Sequence, residues 1–403
     1  MNKLPLGWVE SKLKDIFDTT SGGTPKRGVS AYYGGDIPWL KSGELNDGII
    51  FSAEEYITNE GLQNSSAKLF PKGSLLIALY GATVGKLGIL NFDSTTNQAI
   101  CCIYQHEMYN KYFLFYYLLN HKKYLIKQGK GGAQSNINQE IIKNLIIPLP
   151  PLNEQRRIVG KIEEEFGKID VGVEKLRFAL EQIKQYRQAV LKSAFDGKLY
   201  KTTEWKEKSL QELTLKIGDV DHKMPKEVKE GVPYISPKDF YGVNGIDFIN
   251  AKKITKKDYK ILSKKIAPNY GDIIFPRYGT IGTLRYVDTE EQFLVSYSCV
   301  VIKTINEKAE SKYLYYSLLS PQIKSQIQRS IRQTTQANIG IQSIKDFKIK
   351  IGIKAEQQQI VKEIEKRLKV ADRIETVIRQ NLDKAEQLKQ SILKKALDRK
   401  NVV

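Results

Sequence analysis

Few residues of this chain have the types and spacing that known active sites require. The segment Gly81–Lys86 has the glycines and the lysine of a phosphate-binding loop, but its spacing is not the Gly-x-x-x-x-Gly-Lys-Ser/Thr of such loops. A similar segment, Gly279–Thr283, has Thr283 where the lysine would be. We therefore predict that both segments are tight turns and that neither holds a nucleotide.

Histidines and carboxylates give no stronger sign of catalysis. His106, His121 and His222 are the only histidines; none lies near a cysteine at metal-ligand spacing, and no two lie four apart on a helix. The acidic run Glu163–Glu165 lies in a charge-rich segment and is predicted to be a solvated face. No Asn/Asp-Pro-Pro-Tyr/Phe element of an amino-methyltransferase is present. We expect no catalytic residue, metal or cofactor on this chain.

The charge balance favours a polyanionic partner instead. There are 64 Lys and Arg against 45 Asp and Glu, a net charge of +19, which suits nucleic acid but also suits an ordinary solvated basic surface. Polar and basic residues at Gly-rich turns are the candidates for DNA contacts, because turns on a rigid scaffold carry function. In the first half these are Lys26, Arg27, Lys41, Ser42, Tyr80, Thr83, Lys86, Lys130 and Gln134. In the second half they are Lys238, Arg277, Tyr278, Thr280, Arg332, Gln333 and Gln336.

Each candidate has a structural alternative. Tyr80 and Tyr278 could pack beside their turns, and the amides of Gln134 and Gln336 could satisfy loop backbone. The lysine run at 252–265 is predicted to be a solvated face. Among true contacts, arginine would suit guanine edges, glutamine would suit adenine edges, and lysine would suit phosphates.

The candidate turns recur because the chain is duplicated. Ile37–Leu40 is echoed by Val232–Ile235, and Gly73–Gly81 by Gly271–Gly279. Further on, Gln188, Leu191, Lys192, Ala194, Asp196 and Lys198 match Gln390, Leu393, Lys394, Ala396, Asp398 and Lys400, at a constant offset of 202. Such an ordered set of matches indicates two copies of one unit, each a globular part followed by a helical part.

The globular parts, 1–152 and 201–354, contain short apolar runs separated by Gly, Pro, Asn and Asp. These runs predict strands, for example Leu75–Leu79, Ile100–Tyr104, Ile273–Phe275 and Cys299–Lys303. Dense apolar residues without alternation predict short helices at Lys111–His121 and Lys312–Leu319. Each globular part is therefore expected to be α+β and strand-rich.

The segments 153–196 and 355–398 contain no proline and follow a heptad-like apolar order, which predicts two long paired helices. Pro148, Pro150 and Pro151 exclude an earlier start of the first helix, and Gly197 predicts its end. About 40 residues at 1.5 Å each predict a rod of ~60 Å. Since both helices belong to one chain, we expect them to pair with each other in antiparallel orientation.

The composition points to a reducing compartment and an aqueous environment. Cys101 and Cys102 are adjacent in an apolar run and Cys299 lies in a similar one, as expected for buried free thiols. The N-terminus shows no basic-then-apolar leader, and no apolar run approaches the length of a membrane helix. A cytoplasmic protein without a membrane partner is expected.

The duplicated architecture resembles the specificity subunit of type I restriction-modification systems. Leu4–Trp8 with Leu13 resembles the opening of that family's target recognition domain, and Ile37–Leu40 with Gly43 and Glu44 resembles the segment that follows it. Leu149–Gln155 resembles the junction into the family's first shared helix. The second copy departs there, with Ile353–Gln357 in place of the proline-rich form.

The resemblance implies an α+β fold with pseudo-twofold symmetry. Two tandem target recognition domains, at 1–152 and 201–354, would be separated by two long helical spacers, at 153–200 and 355–403, that form an intramolecular antiparallel coiled coil. It also implies that each domain reads one half of a split, asymmetric site on double-stranded DNA. The helices would set the gap between the halves and hold two methyltransferase subunits, with motor-nuclease subunits joining that core. S-adenosylmethionine, ATP and Mg²⁺ would then bind only to those partners.

The sequence adds two further expectations. A ~60 Å rod spans roughly 17 base pairs at about 3.4 Å per step, enough to place two readers on one duplex. Residues 1–152 carry 15 basic and 12 acidic residues, whereas residues 201–354 carry 27 and 17, so the second domain should depend more on phosphate contacts. Two other classes remain open: a coiled-coil scaffold that reads no DNA, and a nuclease with a cryptic site.

Overall fold

The structure, a computed structural model, describes residues 7–129, 136–200, 204–222, 224–332 and 337–397. The chain forms two compact units. Unit 1 comprises Met1–Leu176 and Gln380–Val403, and unit 2 comprises Arg177–Arg379. Each unit therefore contains one globular part together with a portion of both long helices.

The globular part of unit 1 is built on a five-stranded sheet. Its strands are β1 (Val9–Lys12), β2 (Thr19–Ser21), β3 (Tyr33–Leu40), β4 (Gly48–Ile50), β5 (Glu55–Ile57), β6 (Leu75–Ala78), β7 (Leu87–Leu90), β8 (Thr95–Thr96), β9 (Ile100–Ile103) and β10 (Ile146–Leu149). Its helices are α1 (Asn59–Gln63), α2 (Lys111–Gln128) and α3 (Gln139–Lys143), and the chain continues into α4 (Leu152–Phe195). The order in the main sheet is β2-β9-β6-β7-β4, and β5-β3-β8 and β1-β10 form two smaller sheets.

The globular part of unit 2 repeats this plan. Its strands are β11 (Lys206–Ser209), β12 (Thr214–Gly218), β13 (Val232–Ile235), β14 (Phe240–Tyr241), β15 (Gly245–Ile246), β16 (Lys253–Ile254), β17 (Ile273–Pro276), β18 (Arg285–Tyr286), β19 (Leu294–Val295), β20 (Cys299–Thr304), β21 (Ile331–Arg332), β22 (Asn338–Ile339) and β23 (Lys348–Ile351). Its helices are α5 (Lys256–Leu262), α6 (Ser311–Leu318), α7 (Pro321–Ser330) and α8 (Ile341–Lys345), and the chain ends in α9 (Lys354–Leu397). The sheets β12-β20-β17-β18, β16-β13-β19 and β11-β23 correspond in order to those of unit 1.

The central strands are buried because their apolar runs do not alternate with polar residues. All four residues of β6 and all four of β9 are buried, and the same holds for β17 and the first four residues of β20. A strand of this kind is covered on both faces. The expected α+β class and strand-rich character are confirmed for the globular part of each unit.

One helix differs between the copies. In unit 1, α2 runs without a break from Lys111 to Gln128, longer than predicted. In unit 2, the equivalent segment is divided into α6 and α7. Ser320 caps α7 by accepting a hydrogen bond from the backbone N–H of Ile323, and Pro321 occupies its first turn. Proline cannot continue a helix, so this single residue accounts for the division.

The long helices pack against each other within each unit. In unit 1, Asp170 of α4 pairs with Lys389 of α9, and the Lys389 ammonium lies 5.1 Å from the ring centre of Phe166. In unit 2, Arg187 of α4 binds Asp372 at 2.7 Å and Glu375 at 2.9 Å.

These contacts establish the pairing that the sequence predicts. Within unit 1, residues 157–165 line one cavity together with residues 392–396, while residue 170 lies at residue 389. The residue numbers therefore rise along one helix as they fall along the other, which is antiparallel. Gly197, with φ of 75°, follows the end of α4 as predicted.

Candidate nucleic-acid interface

Unit 1 presents a built arginine site on the β3–β5 strand pair. We call the residues Arg27, Tyr33, Trp39, Lys41 and Glu55 the Arg27 cluster. The Arg27 guanidinium carbon lies 4.8 Å from the ring centre of Tyr33 and 4.7 Å from that of Trp39. Arg27 Nη1 donates to Glu55 Oε2 at 2.7 Å, and Lys41 Nζ donates to Glu55 Oε1 at 2.8 Å. One carboxylate thus holds two cations, both of which the sequence nominated.

The carboxylate of Glu55 remains charged because of these partners. Its pKa is lowered, first by the hydrogen bond from Lys41 and then by the one from Arg27. The pKa of Lys41 is raised, chiefly by the same hydrogen bond. Both effects stabilise the charged forms, so the cluster carries fixed charges at neutral pH.

Unit 2 has a different charged group, which we call the Asp219 cluster: Asp219, His222, Lys265 and Arg277. The Asp219 side chain is only 6% exposed, and its Oδ2 accepts a hydrogen bond from Arg277 Nη1 at 2.8 Å. Lys265 Nζ lies 3.3 Å from Asp219 Oδ1, and His222 Nε2 lies 3.4 Å from Oδ2. A buried carboxylate therefore organises two cations and a histidine ring.

Aromatic rings extend the Asp219 cluster toward the surface. The Arg277 guanidinium carbon lies 4.9 Å from the ring centre of Tyr278, and Tyr278 packs edge-on against Tyr297 at 6.3 Å. His222 stacks on the other ring of this pair, with 4.7 Å between the centres of His222 and Tyr297. Rows of cations and ring faces of this kind are what base stacking and phosphate binding use.

The glycine turn after β6 is a tight turn, as predicted. Gly81 and Gly85 have φ values of 89° and 76°, and the backbone N–H of Lys86 donates to the carbonyl of Thr83. Tyr80 is partly buried against the core of unit 1, which agrees with the packing alternative for that residue. The DNA contacts assigned to Tyr80, Thr83 and Lys86 stay predictions.

The other residues predicted to contact DNA lie on other short elements. Ser42 and Lys238 lie in equivalent single turns of 3₁₀ helix, and Thr280 lies in the turn after β17. Arg332 is exposed at the end of β21, and Lys26 is exposed one residue before Arg27. Lys26 and Arg332 belong to neither the Arg27 cluster nor the Asp219 cluster. Lys130, Gln134, Gln333 and Gln336 lie outside the described residues.

The sequence predicted Arg27, Lys41 and Arg277 as DNA contacts, but it placed Lys265 in a solvated face and did not single out the carboxylates that hold these cations. Glu55 and Asp219 carry no motif, and Trp39 was noted only as part of the repeat. Position-by-position comparison of the copies contains the missing signal. Leu79 donates its backbone N–H to Ala99 as Arg277 does to Ser298, so Leu79 and Arg277 are structural equivalents with opposite chemistry.

The described residues show neither a metal-binding group nor a membrane-spanning helix. Among them, no three His, Cys, Asp or Glu side chains are placed to hold a metal ion. In the same part of the chain, no helix is both long enough and apolar enough to cross a membrane.

The fold and the two clusters define the class of protein: a duplicated α+β protein in which two copies of one scaffold carry different polar surfaces. A family model described as type I restriction modification DNA specificity domain matches residues 5–171 and 202–384. The chain therefore belongs to the family of type I restriction-modification DNA specificity proteins. The function class expected from the sequence, specificity within a type I system, is confirmed.

Individual relatives agree with the family match. The chain is 28% identical over 378 residues to the type I restriction enzyme MjaIX specificity subunit of Methanocaldococcus jannaschii, covering 86% of this chain and 83% of the relative. It is 23% identical over 419 residues to the EcoKI specificity subunit of Escherichia coli K12, covering 98% and 89%. Both relatives are named as specificity subunits of type I restriction enzymes, which agrees with the family to which this chain belongs.

A solved structure shows the same fold along the whole chain. One chain of a type I restriction-modification system, solved to describe its assembly and conformational transition, covers 100% of this chain with a TM-score of 0.71 and 18% identity. The match covers 100% of that chain as well, and it confirms the expected fold of duplicated globular parts with two long helices.

Proposed function

We propose that the globular parts of the two units each read one half of a split, asymmetric site on double-stranded DNA. One observation carries this: equivalent positions of one repeated scaffold hold different polar chemistry. Position 79 of unit 1 is leucine and its equivalent in unit 2 is Arg277, which binds Asp219. Two readers built in this way would recognise unlike half-sites, since base edges are distinguished by the side chains that meet them.

The two readers would also differ in their dependence on phosphates. The second globular part has a net charge of +10 against +3 for the first. Each phosphate neutralised by a lysine or arginine releases counterions, so more such contacts mean steeper salt dependence. Unit 2 therefore contributes more of the sequence-independent affinity in this proposal.

The long helices set the gap between the halves and bind the methyltransferase subunits, with motor-nuclease subunits joining that core. Support comes from α9 in unit 2, where Val370, Ile374 and Val377 form an exposed apolar stripe at helical spacing, 49%, 49% and 54% exposed. Exposed apolar stripes mark interaction surfaces. S-adenosylmethionine, ATP and Mg²⁺ belong to the partners in this scheme.

The stripe can be tested with one matched pair of variants. Ile374→Glu places a charge on the stripe, whereas Thr376→Glu places the same charge on another exposed face of α9. We expect Ile374→Glu to weaken co-purification with the methyltransferase subunit of the same type I system, and Thr376→Glu to leave it intact. Equal recovery of the partner with both variants would exclude the stripe as the docking surface.

DNA reading is tested by binding selection. The complex of the full chain with its methyltransferase is mixed with randomised DNA duplexes, and the bound duplexes are sequenced. The proposal expects one motif with two unlike halves and a constant gap. Binding without sequence preference would instead favour a scaffold, and metal-dependent cleavage by the chain alone would favour a cryptic nuclease.

A further inference from the structure

The loop that carries Arg27 is fixed to the scaffold of unit 1. The backbone N–H of Gly22 donates to the carbonyl of Ile100 at 3.2 Å, and that of Gly23 donates to the carbonyl of Thr96 at 2.9 Å. A Cβ at Gly22 would lie 2.1 Å from Thr96 Oγ1, so only glycine permits this approach. Trp39 Nε1 donates to the Gly23 carbonyl at 2.9 Å.

Further along the loop, the backbone of Pro25 is also anchored. The Tyr33 hydroxyl donates to the Pro25 carbonyl at 2.6 Å, two residues before Arg27. The backbone N–H of Val29 then donates to the carbonyl of Lys26, which closes a turn around Arg27. Arg27 therefore lies at the tip of a turn that backbone hydrogen bonds hold in place.

The side chain of Arg27 is held as firmly as its backbone, yet half of it faces solvent. The guanidinium contacts two ring faces and gives Nη1 to Glu55, but the side chain remains 52% exposed. Within the described part of the chain, Nε and Nη2 form no hydrogen bond to protein. These two nitrogens form one complete edge of the guanidinium fork, the edge that can donate two parallel hydrogen bonds.

Glu55 is the residue that fixes this orientation. Its second oxygen binds Lys41, so the carboxylate cannot rotate away without breaking both ion pairs. A recognition side chain that is already ordered loses less conformational entropy on binding. An exposed salt bridge alone would contribute little to stability, which leaves positioning as the stronger account of the arrangement.

Unit 2 lacks this device at the equivalent place. Trp39 is paired with Glu55 across β3 and β5, and Tyr234 is bonded to Lys252 across the corresponding strands. Unit 2 therefore has a lysine where unit 1 has the carboxylate, and Lys252 Nζ donates instead to the Pro225 carbonyl at 2.6 Å. The arginine site is a property of one half of the molecule.

We propose that Arg27 reads a guanine in the half-site bound by unit 1, and that Glu55 is the positioning residue for that contact. The Nε–Nη2 edge, unbonded among the described residues, matches the O6 and N7 acceptors that guanine presents in the major groove, and no other base presents two acceptors there. The inference rests on the proposed function and adds to it which residue reads which base class.

The test uses the binding selection with three variants of the full chain in its methyltransferase complex. Arg27→Lys keeps the charge but removes the fork, and Glu55→Gln keeps the shape but removes the carboxylate. Glu60→Gln is the control, because it removes an exposed carboxylate from α1 nearby. The remaining positions of the same half-site report whether unit 1 is still folded, and the other half-site reports on unit 2.

The wild type is expected to select a G·C pair at one position of the motif. Arg27→Lys and Glu55→Gln should both lose this preference at that position. One bidentate contact is worth roughly 5- to 150-fold in discrimination, so preference at that position should fall by about 5-fold or more. All other positions, and the Glu60→Gln motif, should be unchanged. Uniformly weaker binding with an unchanged motif would make Arg27 a phosphate contact or a structural residue and overturn the inference. If the wild type selects no split motif, the proposed function fails, and the inference fails with it.

Discussion

The junction between each globular part and its long helix depends on one buried glutamine, and its removal gives the sharpest stability prediction. Gln155, near the start of α4, is fully buried. Its Oε1 accepts a hydrogen bond from the backbone N–H of Asn110 at 2.7 Å. Its Nε2 donates to the carbonyls of Pro150 at 2.9 Å and Met108 at 3.2 Å. The side chain thus joins the helix to the loop before α2.

The size of the effect follows from these bonds. Gln155→Ala removes three hydrogen bonds and leaves a buried N–H unpaired, at about 1–3 kcal/mol for each group that loses its partner. Because the bonds share one side chain, we expect a total of roughly 3–5 kcal/mol. The equivalent Gln357 of unit 2 makes two such bonds, to the Glu310 N–H at 2.8 Å and the Gly352 carbonyl at 2.9 Å. Gln357→Ala should therefore cost about 1 kcal/mol less.

The assay must resolve the two units, since a chain of two units need not unfold in one step. Urea unfolding gives the loss of stability, and hydrogen exchange at the Asn110 amide gives its location, because that amide donates to Gln155. Gln182→Ala, at an exposed position of the same helix, is the control. If Gln155→Ala unfolded at the same urea concentration as the control, with Asn110 still protected, the reasoning would be refuted.

Three further predictions concern burial and charge. Lys303→Met should destabilise unit 2 by about 3–5 kcal/mol in urea unfolding. In the wild type Lys303 Nζ lies 2.7 Å from the buried carboxylate of Asp272, and the variant leaves that carboxylate without its cation. An unchanged urea midpoint would show that the pair is dispensable. Leu393→Ala removes a fully buried side chain of α9 and should lower the free energy of unfolding by about 2–5 kcal/mol. Leu388 is 52% exposed, so Leu388→Ala should lower it far less, and thermal unfolding of both variants measures the difference. Equal losses would contradict the packing of α9 in unit 1. The pKa of Glu55 lies below its ordinary value of 4.5, so the small contribution of this exposed ion pair to stability is present above that pH and lost as the pH falls through the lowered pKa. Glu55→Gln should remove this small acid-side loss from urea midpoints measured at several pH values, and parallel curves for variant and wild type would rule the effect out.

Sequence patterns were sufficient for the parts of the fold that local physics determines. Unbroken apolar runs such as Leu75–Leu79 become buried strands, and proline-free heptads become the 44-residue helices α4 and α9. Because the chain is duplicated, the same order of paired strands is expected in both globular parts, and it is found in both. What the pattern missed was local: it gave no sign that the helix starting at Lys111 would run on to Gln128.

The candidate sites were harder to foresee because they depend on contacts between distant residues. Arg27 was nominated as a basic turn residue, but its stack on Trp39 and its bond to Glu55 join residues 12 and 28 positions away. The tryptophan belongs to the repeated segment Ile37–Leu40, but nothing in the sequence indicates that it or the glutamate contacts Arg27. Comparing the copies shows where they diverge, as at Leu79 and Arg277, but only the structure shows that Arg277 binds Asp219.

The most direct test of the central claim is a map of methylated adenines in DNA from cells that express this chain together with a methyltransferase subunit that co-purifies with it. Two readers on one repeated scaffold predict methylation at a single motif with two unlike halves separated by a constant gap. Methylation at a continuous or palindromic motif, or at sites that share no motif, would contradict the assignment of one half-site to each unit.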